Sequence, residues 1–188
     1  MKRRQLHYNK CLVIVHGRSE WLLCKYIKQN QRLKMSIDAK DNGKHSIQIT
    51  SLNAWLNQSI YSSAPQFLEY FEDIDQLKGR PTKNFKIFII MDTDDCSKTQ
   101  LAKYKSKEMF KQHWAHSYIV PIFNTNNLEE VVRSVAIPIE KKKEYINIFP
   151  SGKRYKPSID LNQLYLKLLP LPNTNMDEFI KFCLEASD

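Results

Sequence analysis

The chain reads as an α/β protein: a mainly parallel β-sheet flanked by helices, with a helical extension at its C-terminal end. Three observations carry this expectation. Apolar runs at 10–16, 86–91 and 117–123 are short, continuous and rich in Ile, Val and Phe, as strands buried on both faces are. Stretches with helical apolar spacing alternate with those runs. Only four glycines occur in 188 residues, which argues against a turn-dense all-β fold and against a glycine-rich nucleotide loop.

Taken in order, residues 10–16 (Lys-Cys-Leu-Val-Ile-Val-His) form the first buried strand. Gly17, Arg18 and Ser19 break it, and Ser19 is the expected N-cap of a helix to about Asn30 that carries Leu22, Leu23, Tyr26 and Ile27 at helical spacing. In 33–50, Met35 and Ile37 alternate with polar residues, 41–44 (Asp-Asn-Gly-Lys) signals a turn, and Ile47 and Ile49 alternate again. One strand is expected there, with a hairpin as the alternative. From Ser51 the spacing turns helical, through Leu52, Trp55, Leu56 and Ile60, then Phe67, Leu68, Phe71 and Ile74. Residues 78–81 close that region before the central strand at 86–91.

A basic helix is expected over 98–112, with Leu101, Tyr104 and Phe110 facing inward. The strand at 117–123 contains Pro121, which points to an edge position or a bulge. Asn124 to Asn127 make a turn that feeds a helix near Leu128, with Glu129 and Glu130 in its first turn. Past Ile139 the character changes to the basic clusters 141–143 and 153–156, with Tyr145 and Tyr155 among them. A helix at 161–169, a Pro-Leu-Pro break and an amphipathic helix at 176–186 follow. The expected division is an α/β domain over 1–139 and a basic helical extension over 140–188, packed on it.

The 29 basic and 20 acidic residues give a formal charge of +9, which favours a polyanionic partner, nucleic acid first and an anionic membrane surface second. Cys11, Cys24, Cys96 and Cys183 lack metal-ligand spacing, and the first two look like small core residues. No apolar run approaches the roughly 18 residues that span a bilayer, and no apolar segment follows the basic Met1 to Arg4. The expectation is a cytoplasmic protein without a membrane partner.

The chemistry concentrates where strands end. The central strand runs straight into Asp92, Asp94 and Asp95, at the carboxyl end where open α/β sheets place their ligands. Carboxylates this close repel unless a cation sits among them, and hard oxygen ligands suit Mg²⁺ or Mn²⁺. The alternative is a polar loop in which Asp94 or Asp95 caps the next helix. The first strand ends in His16, with Arg18 and Glu20 following, and the later strand leads to Glu129. If these strands are neighbours, their ends converge. Asp92, Asp94, Asp95 and Glu129 are then the candidate metal ligands, His16, Glu20, Asp92 and Asp94 the catalytic candidates, and Arg18 and Lys98 the substrate-binding cations. Such a site beside a basic surface suits hydrolysis of a phosphodiester. His113 and His116, near Cys96 in sequence, raise zinc, but without a fourth ligand they read as a surface pair.

The order Val15-His16-Gly17-Arg18-Ser19-Glu20, Met91-Asp92-Thr93-Asp94-Asp95 and Phe123-Asn124-Thr125-Asn126-Asn127-Leu128-Glu129 resembles the Toprim fold over roughly 8–136. It looks closest to the bacterial defence-associated OLD-type and RloB-like proteins. That resemblance implies a Toprim-like, Rossmann-like sheet and a metal-dependent nuclease in anti-phage defence, with DNA or RNA as substrate. It also implies a protein partner such as an ATPase subunit, since the chain carries no ATP-binding loop of its own. One departure stands out: the glutamate that ends the family's first motif falls on His16. An inactive Toprim-like module that binds nucleic acid or a partner protein is therefore the alternative. A haloacid-dehalogenase-type phosphatase, suggested by Asp92-Thr93-Asp94, is disfavoured because some 85 residues precede a pair that such enzymes carry on their first strand.

Overall fold

The computed structural model describes residues 8–135, Phe149 and 159–187. The basic clusters at 141–143 and 153–156, with Tyr145 and Tyr155, and the N-terminal Met1 to Arg4 lie outside them. The described chain runs β1 (Cys11–Val15), α1 (Arg18–Asn30) and β2 (Met35–Asp38), then 3-10 turns at Lys40–Gly43 and Ile49–Ser51. After α2 (Leu52–Leu56), a 3-10 turn at Ser59–Tyr61 and α3 (Ala64–Tyr70) come the two-residue strands β3 (Gln76–Leu77) and β4 (Arg80–Pro81). Then follow β5 (Lys86–Asp92), α4 (Lys98–Lys105), a 3-10 turn at Glu108–Phe110, β6 (Ile119–Asn124), α5 (Leu128–Ser134), α6 (Leu161–Leu168) and α7 (Met176–Glu185).

Four strands form one parallel sheet in the order β2-β1-β5-β6, and helices cover both faces. The fold is therefore α/β with a Rossmann-like parallel sheet and C-terminal helices. Alternation along β5 builds two cores. Phe88 and Ile90 face α1, α5, α6 and α7, whereas Ile87, Ile89 and Met91 face α2, α3 and α4. On the first face Phe179 and Phe182 of α7 stack against Phe88 at 5.1 and 4.9 Å. Helices α6 and α7 thus share the core of α1 and α5. On the second face the hydroxyl of Tyr104 lies 2.6 Å from the Ile89 carbonyl and 2.9 Å from that of Ile122, bracing two neighbouring strands.

Pro121 does lie on an edge strand, β6, where a missing N–H costs least. The edge is covered from α7: the Asn175 side chain accepts the Phe123 N–H at 2.8 Å and donates to the Pro121 carbonyl at 3.0 Å. Asn124 and Thr174 form an antiparallel bridge beside it. Among the described residues no helix is long and apolar enough to cross a membrane.

Several local expectations are corrected. Helix α1 begins at Arg18 with Gly17 as its N-cap, because Glu20 folds back to accept the Gly17 N–H and leaves Ser19 inside the first turn. The hairpin alternative for 33–50 fails: Ile47 is tied by its N–H to the His16 carbonyl at 2.8 Å, and Ile49 opens a 3-10 turn. The helix expected over 98–112 ends at Lys105, since Lys107 takes a left-handed φ of 65° and a 3-10 turn follows. The β3–β4 ladder at 76–81 was not expected. Lys78 and Gly79 at φ of 53° and 72° give its turn the positive angles that a tight two-residue hairpin needs.

Candidate metal and active site at the carboxyl end of the sheet

Because β1 and β5 are adjacent and parallel, both open at the same edge of the sheet. Val15 stands opposite Ile90, and the His16 N–H continues the ladder to the Ile90 carbonyl at 2.8 Å. His16 Nε2 consequently lies 4.0 Å from Oδ2 of Asp92, the last residue of β5. Asp92 is 5% exposed. Its Oδ1 accepts the Leu128 N–H at 3.1 Å and a weaker bond from Asn124 Nδ2 at 3.4 Å. Asn124 stands opposite Asp92 in the β5–β6 register and accepts a bond from the Thr174 hydroxyl at 3.0 Å. The aspartate is therefore oriented by the end of β6 and the start of α5.

Two further carboxylates close in from helices. Glu20, 1% exposed, uses Oε2 for the Gly17 N–H at 3.0 Å, while its Oε1 is buried without a hydrogen-bond partner. Glu129, in the first turn of α5, accepts the buried Ser19 hydroxyl at 2.7 Å, which joins α5 to α1 across the site. A carboxylate out of water resists ionising, and neighbouring carboxylates strengthen that resistance. Burial first, then Glu20, Glu129 and Asp94, push the Asp92 carboxyl up to about 9, against the opposing Asn124 hydrogen bond. Burial likewise raises Glu20, with His16 opposing and Glu129 adding to the shift. Asp95 is raised by burial and by Asp94, while His16 and the N–H groups of Asp95 and Ile49 draw it down.

The structure thus brings His16, Glu20, Asp92 and Glu129 together, with Asp95 on the loop beside His16. Asp94 is exposed and reaches the cluster only through its field. Arg18 is exposed; its guanidinium donates to the Asn42 carbonyl at 3.1 Å and lies 4.3 Å over the Trp21 ring. Lys98 is exposed at the first position of α4 and makes no ion pair with the site. The zinc alternative loses one of its two histidines. Both ring nitrogens of His113 are engaged, by the Leu56 carbonyl and the Ala115 N–H.

Three contributors escaped the sequence reading. Asn124 had a signal, a polar residue directly after a buried apolar run. Ser19 resembled a cap and instead bonds Glu129. Thr174 lies 50 residues from its partner Asn124, and nothing local marks it.

Among the described residues no three His, Cys, Asp or Glu side chains are already gathered around one point as metal ligands. The donor chemistry nonetheless fits a divalent cation: an unpartnered buried oxygen on Glu20, a buried aspartate crowded by like charge, and an imidazole 4.0 Å from it. Carboxylate oxygens suit Mg²⁺ and Mn²⁺, and the imidazole tilts the set toward Mn²⁺. No protein-family model, curated protein or solved structure matches this chain, so the reading of the site rests on its own geometry.

Proposed function

We propose that the chain is a divalent-metal-dependent nuclease of Toprim type, hydrolysing phosphodiester bonds of DNA or RNA in the manner of OLD-type and RloB-like defence proteins. The observation that carries this reading is the meeting of His16 and Asp92 at 4.0 Å, with the buried Glu20 and Glu129 carboxylates acting on the same aspartate. Asp92 and Glu20 would hold the ion, with Asp94, Asp95 and Glu129 around it. A bound Mg²⁺ or Mn²⁺ supplies charge neutralisation at the phosphate and an activated water. His16 stands where it can take or give a proton beside Asp92. The Asn124 side chain and the Leu128 N–H keep Asp92 aimed. An ATPase subunit in the cytoplasm is the partner that this reading expects.

The test is cleavage of a labelled oligonucleotide with Mg²⁺ or Mn²⁺. Asp92→Asn keeps the acceptor for Leu128 and is expected to lose about 100-fold or more in rate. His16→Glu is expected to shift preference from Mn²⁺ toward Mg²⁺, because an oxygen ligand replaces a nitrogen. Full activity in Asp92→Asn removes the proposal.

One observation favours a second reading. The two hydrogen bonds at Asp92 Oδ1 join β5 to β6 and α5, a structural task that asks for no metal. A non-catalytic Toprim-like module that binds nucleic acid or a protein would keep that junction. Binding without cleavage under either ion identifies it.

A further inference from the structure

We propose that a cationic groove at the opposite, amino-terminal end of the sheet binds single-stranded nucleic acid, with lysines on the phosphates and a base against Phe182. The groove has a volume of about 400 Å³, and Lys10, Lys83, Lys86, Phe182 and Glu185 line it. Strand order builds it. Lys10 precedes β1, Lys86 opens the neighbouring β5, and the Lys86 N–H donates to the Lys10 carbonyl at 3.4 Å. Lys83 sits on the exposed loop into β5. Like charges on adjacent strands cost stability unless an anion joins them.

Among the described residues no acid pairs with Lys10, Lys83 or Lys86. Glu185, the acid in the groove, lies 3.9 Å from Lys181. The neighbouring Lys107 ammonium is held below its usual range by burial and by repulsion from Lys86, an independent sign of crowded positive charge. The acids of the other site stand at the far end of β5, about 20 Å away for a strand of this length. The groove is therefore separate from that site and does not rest on the hydrolytic reading.

The occupant follows from the lining. Lysines meet phosphates as point charges. Phe182 is partly buried, with its ring backed by Phe88 at 4.9 Å, and offers an aromatic wall. A single strand brings both a regular anionic backbone and unstacked base faces. A duplex hides those faces, and an acidic peptide has no base to stack.

Fluorescence anisotropy of a labelled single-stranded oligonucleotide, as DNA and as RNA, reads binding to the whole chain in EDTA without cleavage. The Lys83→Glu/Lys86→Glu pair is expected to weaken binding about tenfold or more and to lessen the slope of log affinity against log salt by about 1.4, the effect of two lost phosphate contacts. Phe182→Leu is expected to weaken it about tenfold without changing the slope. Lys103→Glu, on the exposed side of α4, is expected to stay within about twofold of the parent. Lys83→Glu alone, on its exposed loop, keeps the test open should Lys86→Glu disturb β5. Binding is read in EDTA, where no metal-dependent cleavage occurs, so failure of the hydrolytic reading leaves this one standing. An unchanged slope in the lysine-to-glutamate groove variants, equal weakening by Lys103→Glu, or equally tight binding of duplex or polyglutamate overturns the proposal.

Discussion

Asp92 shows how one residue can be costly to the fold and useful to the site. In the metal-free protein its carboxyl stays protonated up to about 9, whereas in the unfolded chain it ionises near 4. The folded state therefore binds the extra proton between those values. Stability from this group is fully present below the unfolded pKa and is lost as pH rises toward the folded one. Asp92→Asn is neutral throughout, so in EDTA its melting temperature should gain on the parent between about pH 5 and about pH 8. A gap independent of pH contradicts the assignment. Gly43 makes a different demand. It holds a φ of +81°, and a Cβ there would stand 2.9 Å from the Gly17 carbonyl oxygen and 3.0 Å from the Arg18 Cα. Gly43→Ala should cost about 1–3 kcal/mol in denaturant unfolding, and it should disturb the start of α1, next to His16.

At the scale of elements, legibility followed burial. The apolar runs that became β1 and β5 were readable because a strand covered on both faces needs no polar alternation. The first of those strands ends next to His16 and the second at Asp92, so the core of the site was legible with them. Arg18 was not. Its side chain is set by the Asn42 carbonyl and the Trp21 ring, contacts no local pattern announces. Residues 47–51 also misled, because Ile47 and Ile49 alternate like a strand but are buried by a 3-10 turn that caps the second core. The end of α4 was equally hidden, since Lys107 adopts a left-handed angle without being glycine. Two element-level predictions follow from the packing. Tyr104→Phe removes the hydroxyl that sits between the Ile89 and Ile122 carbonyls and should cost about 1–3 kcal/mol. Phe179→Ala empties the contact of α7 with Phe88 and should cost about 3–5 kcal/mol, measured by denaturant unfolding.

Among the described residues the two ends of the sheet differ in charge. Buried and half-buried acids gather at the carboxyl end of the sheet, while Lys10, Lys83 and Lys86 line its amino end. The proposed function places a cation at the acidic end, and the account depends on that placement. Isothermal titration of Mn²⁺ into the parent, Asp92→Asn and Glu20→Gln chains tests it most directly. The account predicts one site in the parent, tighter at higher pH because bound carboxylates must lose their protons, and weakened about tenfold or more in each variant. Binding of equal strength in all three, or none in the parent, would contradict it.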